Sequence, residues 1–184
     1  YKEITHFFYK NIPDVEIEKL GFREKLWYFK AHVWYGFLTQ DFLGTYRNAA
    51  KWVEMFEENP QMIALHPVFY LKGNNYLMET LTLIKYPAKF KTVLHQMHKR
   101  THASEFPVND NLKALNFQFY YSNRLNLCFM EGAFEEGIAL VPQIISGIES
   151  FSNQIDPHHV MLFYYKIACL YFGESNYEKC ILYL

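Results

Sequence analysis

Apolar residues recur along this chain with the spacing of α-helices. Beginning at Tyr46, they occupy positions i, i+3, i+4 and i+7, which lie together on one face of a helix. The same pattern begins again at Phe90, Phe134 and Tyr177, so it returns every 43 or 44 residues. A second helical pattern precedes each of these aromatic residues at a fixed distance. The chain is therefore predicted to repeat a unit of two antiparallel helices joined by a tight turn.

Turn and capping residues separate the predicted helices. The segments TQDFLG, KYPAK, EGA and GESN form the tight turns inside the four units. Asn109 and Asp156 are N-cap residues, and Pro142 falls inside a helix that it is expected to kink. The predicted helices cover residues 1–11, 22–39, 42–58, 61–84, 87–102, 110–130, 133–151, 157–172 and 175–184. No strand pattern competes with them.

The predicted organisation is one all-α domain, residues 1–184, made of helical hairpins. The hairpins cover residues 22–58, 61–102, 110–151 and 157–184. In residues 1–11, Ile4, Phe7 and Phe8 repeat the apolar spacing, so this segment is interpreted as the end of a preceding repeat. The chain is therefore expected to begin inside one repeat and to end inside another, truncated at both ends.

The last two hairpins resemble the tetratricopeptide repeat (TPR). That family has aromatic, aliphatic and small residues on the first helix of each repeat and a Tyr-x-x-Ala phrase at the start of the second. The matching residues are Tyr164, Ile167, Ala168, Tyr171, Tyr177, Cys180 and Leu184 in the last hairpin, and Tyr121, Leu125, Phe134, Gly137 and Val141 in the hairpin before it. Cys180 stands where the family has alanine, and Arg124 stands where it has an aliphatic residue. The family repeat is about 34 residues long, so the longer period here implies longer helices or longer connections.

The resemblance implies a right-handed superhelix of hairpins whose first helices line a concave groove. In the family a peptide or a partner helix lies in this groove. The chain is therefore expected to be a non-catalytic scaffold that binds a protein or peptide, as one part of a larger regulatory or adaptor protein. Carried over position by position, the groove residues are Phe119, Ser122, Asn123, Asn126 and Phe129 in the third hairpin, and Leu162, Tyr165, Lys166, Cys169 and Phe172 in the fourth. The second hairpin aligns less closely and contributes Asn75, Met78, Glu79, Thr82 and Lys85.

The sequence does not decide whether these groove residues bind a partner or have a structural role. Asn126 can donate to and accept from a peptide backbone, or it can face solvent or cap a neighbouring turn. The aromatic groove residues can contact a ligand, or they can pack between neighbouring hairpins. Cys169 and Cys180 are expected to face each other across the last hairpin as small buried residues.

Composition narrows the class of protein. Hydrophobic residues make up 51% of the chain, which is not typical of a disordered protein. The formal net charge of −1 argues against a general nucleic-acid binder. Three cysteines without a Cys-x-x-Cys pair favour a reducing compartment, and we predict a cytoplasmic location. No apolar run reaches the roughly 20 residues that a membrane-spanning helix needs, so no membrane association is expected.

Catalytic motifs do not change this picture. The sequence contains no Gly-rich phosphate loop, no His-Glu-x-x-His motif and no nucleophile elbow. Neither an enzymatic activity nor a cofactor is therefore predicted. A homodimer, formed through the groove or through the ends of the chain, is a further expectation about partners.

Two alternative functions come from the helix predicted at 87–102. Its basic residues form a patch for an acidic partner or a phosphate backbone, and they are Lys89, Lys91, Lys99 and Arg100. His95, His98 and His102 lie at i, i+3 and i+7, the spacing at which three imidazoles can hold a metal ion. This face lies opposite the apolar one, so it is expected to be the solvated outer surface of the helix.

Overall fold

Helices provide the regular secondary structure of this protein. The computed structural model describes residues 2–12 and 15–184, and this part of the chain contains no β-strand. The helices are α1 (Lys2–Asn11), α2 (Phe22–Thr39), α3 (Phe42–Glu58), α4 (Gln61–Leu65), α5 (Pro67–Leu83), α6 (Pro87–Thr101), α7 (Asp110–Glu131), α8 (Phe134–Ala139), α9 (Val141–Ser150), α10 (Pro157–Gly173) and α11 (Tyr177–Leu182), with a 3₁₀ turn at Ile17–Lys19. The expected all-α class is confirmed for these residues.

Most helix boundaries agree with the sequence prediction. The predicted helices 22–39 and 42–58 coincide with α2 and α3. Asp41 caps α3, since its carboxylate accepts a hydrogen bond from the amide of Gly44 at 2.9 Å. Tyr1, the first residue of the helix predicted at the N-terminus, lies outside the described residues.

Two predicted helices are divided by proline. The helix predicted at 61–84 forms α4 and α5, because the ring of Pro67 disfavours a helical conformation at His66. The prediction of one continuous helix is therefore wrong there. The helix predicted at 133–151, which was expected to kink at Pro142, is divided into α8 and α9 at Leu140, two residues before the proline.

A residue with left-handed backbone conformation lies in each of the four predicted hairpin turns. These residues are Gln40, Lys85, Gly132 and Ser175, with φ between 54° and 67°. Three of the turns also share one backbone hydrogen bond, in which the amides of Asp41, Ala133 and Asn176 donate to the carbonyls of Gly36, Cys128 and Tyr171 at 2.8–2.9 Å. This closure satisfies carbonyl groups at a helix end that would otherwise lack partners. The same turn structure therefore ends α2, α7 and α10.

The chain divides into two compact units, Tyr1–Ile84 and Lys85–Leu184. In the first unit, α2 packs against α1, α3 and α5, and α3 packs against α5. Trp52 of α3 is fully buried, with its ring centroid 6.1 Å from that of Phe69 and 6.0 Å from that of Tyr76 on α5. Because α2 has neighbours on three sides, only its remaining side faces solvent.

In the second unit, α10 packs against α7, α8, α9 and α11, and α6 packs against α7. The core of this unit includes Leu125, Ile144 and Ile167, which are fully buried. Gly137 allows α8 to approach α10 closely, because a Cβ added there would lie 2.6 Å from the side chain of Leu170. The second unit therefore has α10 at its centre.

The four repeated apolar sets differ in burial. Every member of the first three sets is buried or half-buried. In the last set Cys180 is buried, whereas Ile181 and Leu184 are 73% and 80% exposed. The apolar pattern thus predicts correctly which residues of the first three sets are covered. In the last set, on α11, it does so only for Cys180.

Candidate functional site

The predicted groove residues of the third and fourth hairpins lie on α7 and α10, which pack against each other. A polar contact joins the two helices there. The Lys166 ammonium donates to the Ser122 hydroxyl at 2.6 Å and to the Ser122 carbonyl at 3.3 Å. Both residues are half-buried. The structure therefore brings together two of the residues that the sequence placed in the groove.

Two other predicted groove residues of α7 belong to the interior. Phe119 is 9% exposed and Asn123 is 1% exposed. The Asn123 amide donates to the Phe119 carbonyl at 2.8 Å, which secures a buried polar group within the helix. Asn75 and Met78, which the weaker alignment placed in the groove, are buried as well. A partner cannot reach these side chains without a rearrangement of the helices.

Asn126 and Phe129 lie at the boundary between interior and surface. Both are half-buried. Phe129 packs against the core of the second unit and contacts Phe134, with ring centroids 6.3 Å apart. Phe129 therefore packs between helices, as the second interpretation of the aromatic groove residues predicts. Asn126 keeps part of its surface available to a partner.

The exposed aromatic groove residues belong to α10. Tyr165 is 58% exposed and Phe172 is 62% exposed, and they lie two helical turns apart on one face. Cys169 lies between them on this face and is half-buried, and its hydrogen bond with Tyr165 raises the pKa of the Tyr165 hydroxyl. We define the α7/α10 surface as Ser122, Asn126, Leu162, Tyr165 and Phe172.

The cysteines of the described chain are free thiols, and Cys128 and Cys180 are buried. The expectation of a small buried residue is therefore confirmed for Cys180. Cys169 is only half-buried, so that expectation is wrong for its side chain, which shares the α10 face with Tyr165.

The basic residues of α6 are exposed, as a patch requires. Lys89, Lys91, Lys99 and Arg100 all have exposed side chains. Lys91, however, forms an ion pair with Glu131 of α7 at 2.6 Å. This pair neutralises part of the positive charge that an acidic partner or a phosphate backbone would meet.

The three histidines of the helix predicted at 87–102 do not share a solvated face, and His102 is the C-cap residue of α6. His95 and His102 are exposed, but His98 is half-buried and stacks on Tyr120 of α7, with ring centroids 4.5 Å apart. The prediction of an outer surface is therefore wrong for His98, because α7 packs against this side of the helix. Burial, followed by the charges of His102, His95 and Arg124, lowers the pKa of His98. In the described part of the chain, no group of three or more His, Cys, Asp or Glu side chains is arranged to hold a metal ion.

The first unit carries an aromatic surface that the sequence analysis did not identify. Trp27 and Trp34 lie two turns apart on α2 and are 50% and 48% exposed. Each contacts a ring of α5 edge to face, Trp27 with Phe69 at 5.2 Å and Trp34 with Tyr76 at 5.9 Å between centroids. Their ring contacts therefore hold both indoles in place while half of each remains exposed.

The repeat spacing contained a signal for this surface. Trp34 and Leu38 stand two periods before Ser122 and Asn126, and both are exposed. The groove residues predicted from the sequence lie in the second, third and fourth hairpins and do not include Trp34 or Leu38. Apolar residues at helical spacing can be core residues or can form an exposed surface. The exposure of these side chains distinguishes a core position from a binding position, and it depends on which helices pack beside α2.

Within the residues that the structure describes, no helix is both long enough and apolar enough to cross a membrane.

Comparison of the chain with protein-family models, with curated proteins and with solved structures found no significant match. The geometry of the helices and of their exposed faces is therefore the basis on which a function is proposed.

Proposed function

We propose that this protein is a non-catalytic protein–protein interaction scaffold that binds a polypeptide at the α7/α10 surface. The observation that carries the proposal is the exposure of Tyr165 and Phe172 on one face of α10. Large aromatic side chains on one face of a helix are typical anchors of protein interfaces. Asn126, on the neighbouring helix, supplies an amide that both donates to and accepts from a peptide backbone.

The fold proposed for the scaffold is a TPR-like right-handed superhelix of hairpins. Three helix ends with the same turn structure support a repeated unit. The contact between Lys166 and Ser122 supports it further, since these residues stand 44 positions apart on the first helices of successive hairpins. In such an arrangement the first helices line one continuous face, on which an extended or helical partner can lie.

The proposed partner is a protein or a peptide, and the proposed location is the cytoplasm. Membership of a larger regulatory or adaptor protein is part of the same proposal. Repeat folds host many functions, so the identity of the partner must come from experiment. A homodimer through the same surface is the alternative occupant, and it would compete with the polypeptide partner.

The test is capture of partners from native lysate, followed by mass spectrometry. The parent chain is compared with the double variant Asn126→Ala/Tyr165→Ala and with Tyr9→Ala, which removes an exposed aromatic side chain from α1. Circular dichroism checks that each variant folds. We expect a polypeptide that the parent and Tyr9→Ala capture and the double variant loses. Equal capture by all three chains would refute the proposed site.

The oligomeric state is measured in parallel by light scattering at several protein concentrations. A dimer that the double variant abolishes would assign the surface to self-association instead. A monomer throughout agrees with a polypeptide partner.

A further inference from the structure

The open side of α2 carries a second exposed aromatic surface, made of residues of the first unit. We define the tryptophan surface as Trp27 and Trp34 with the neighbouring cations Arg23, Lys30 and Lys72. We propose that the tryptophan surface binds an acidic amphipathic helix of a partner protein.

The two indoles form an apolar surface whose rings are held in place by contacts with α5. Each is held by an edge-to-face contact with α5, at 5.2 Å for Trp27 and Phe69 and at 5.9 Å for Trp34 and Tyr76. Rings that are held in place before binding lose little conformational entropy when a partner arrives. Trp is also the residue type most enriched among the strongest contacts in protein interfaces.

The spacing of the indoles fits a helical partner. Trp27 and Trp34 are seven residues apart, which corresponds to about 10.5 Å along the axis of α2. A helix that lies along α2 presents apolar residues at i, i+3 or i+4 and i+7 over the same length. Its first and last apolar residues can therefore contact the two indoles.

The positive charges around the two indoles favour an acidic partner. Lys30 lies over the Trp27 ring, with its ammonium 4.5 Å from the ring centroid. Arg23 precedes Trp27 by one helical turn, and Lys72 follows Phe69 by one turn on α5, so both border the same surface. None of these three cations forms an ion pair with a carboxylate in the described part of the chain.

Two carboxylates on α2 and α5 accept hydrogen bonds within their own helical segments. Glu24 accepts a hydrogen bond from the amide of Gly21 at 2.7 Å at the start of α2. Glu79 accepts one from the Asn75 amide at 2.7 Å on α5. Neither of these hydrogen bonds involves Arg23, Lys30 or Lys72, so these three cations can pair with acidic side chains of a partner.

A helix is favoured over a single-stranded nucleic acid. The surface carries three cations, and the whole chain has a formal net charge of −1. Non-specific binding to nucleic acid draws its affinity from many neutralised phosphates, typically about six to ten. Nucleic acid is therefore treated as a competing outcome of the test.

The experiment uses the full chain and a fluorescent synthetic peptide of about 18 residues, long enough to form a helix. The peptide carries Leu at i, i+3 and i+7 and Glu on the flanks of this stripe. Its controls are a scrambled peptide, a peptide with Gln in place of Glu, and a labelled single-stranded oligonucleotide. Anisotropy measures binding, and tryptophan emission reports on it directly, since two of the three Trp residues form the surface.

Three variants locate the binding site. Trp34→Ala is expected to weaken the acidic peptide about thirtyfold, as removal of an aromatic anchor does. Lys30→Glu is expected to weaken it about fivefold by reversing the charge that lies over the Trp27 ring. Lys51→Glu reverses an exposed charge on α3 and is expected to leave binding unchanged. Trp27→Ala replaces Trp34→Ala if circular dichroism shows that the latter does not fold.

The proposal is overturned if the acidic peptide binds no more tightly than its scrambled or Gln control, or if Lys30→Glu has no more effect than Lys51→Glu. It is also overturned if the oligonucleotide binds more tightly than the peptide and depends on the same residues. These variants lie in the first unit, whereas Asn126→Ala/Tyr165→Ala lies in the second. Failure of one proposal therefore leaves the other open to its own test.

Discussion

The Lys166 ammonium donates a 2.6 Å hydrogen bond to the Ser122 hydroxyl, across 44 residues of sequence. It also lies 3.3 Å from the Ser122 carbonyl. The contact ties α10 to α7 within the surface proposed to bind a polypeptide. A half-buried ammonium that donates to two oxygens of one residue has a restricted position, so it also fixes the relative position of the two helices.

A double-mutant cycle measures the energy of this contact. Ser122→Ala removes the hydroxyl acceptor, and Lys166→Met removes the charge and keeps a side chain of similar length. We expect a coupling free energy of about 1 kcal/mol, the usual range for a hydrogen bond between partly buried groups. Chemical denaturation of the parent, the two single variants and the double variant gives the four values. Strictly additive effects would show that the contact does not contribute to stability.

Gly73 lies where α5 approaches Trp52 of α3. A Cβ added at this position would lie 2.8 Å from the Trp52 indole nitrogen, and Trp52 is fully buried. Gly73→Ala should therefore lower the free energy of unfolding by about 1–2 kcal/mol, because overpacking outweighs the gain of about 1 kcal/mol in helix propensity. Thermal and urea unfolding measure the change.

Gly21→Ala is the matched control for Gly73. A Cβ at Gly21 would meet its nearest neighbour, a Glu24 carboxylate oxygen, at 3.4 Å, an ordinary contact distance. Gly21 is the N-cap of α2, a position at which Ala is less favourable than Gly, so this variant should lose about 0.5 kcal/mol, less than Gly73→Ala. A Gly73→Ala protein as stable as Gly21→Ala would mean that α5 and α3 can separate without cost.

His98 makes the stability of the second unit depend on pH. Burial lowers the pKa of His98 below its ordinary value of 6.5, and the charges of His102, His95 and Arg124 lower it further. As the pH falls, the unfolded chain therefore takes up this proton before the folded chain does. The contribution of His98 to stability is complete above its unfolded-state pKa and is lost as the pH falls through the folded-state value.

Melting temperatures between about pH 7.5 and about pH 5.5 test this linkage, since this range brackets the titration of histidine. We expect the parent to lose thermal stability toward the acidic end. His98→Gln, which is polar and does not titrate, should lose less over the same range. Burial lowers the pKa of His159 as well, so part of the dependence should remain in the variant. Parallel profiles for the parent and His98→Gln would contradict the assignment to His98.

Part of the candidate surface was accessible from the sequence. The resemblance to the TPR family placed Ser122 of α7 and Lys166, Tyr165 and Phe172 of α10 among the groove residues. It did not separate Asn126, which is half-buried, from Asn123, which is buried three residues earlier. On a helix three residues correspond to about 300° of rotation, so neighbouring helices decide which of the two amides is covered.

The exposure of the tryptophan surface could not be predicted from the sequence either. Trp27 and Trp34 have the residue type and the spacing of core positions. They are half exposed because α2 packs against α1, α3 and α5 and leaves this side open. Nothing within α2 itself distinguishes an apolar face that a neighbour covers from one that no neighbour covers.

By itself, the sequence determined the helical class and most of the helix boundaries. Caps such as Asn109, prolines such as Pro142 and the residues of the hairpin turns act through contacts within a few positions of the chain, so their effect can be predicted locally. The tertiary structure decided which face of each helix is covered, and hence that His98 stacks on Tyr120 while the two indoles of α2 remain exposed. Burial is a property of helices brought together from distant parts of the chain, and the binding surfaces are what that packing leaves uncovered.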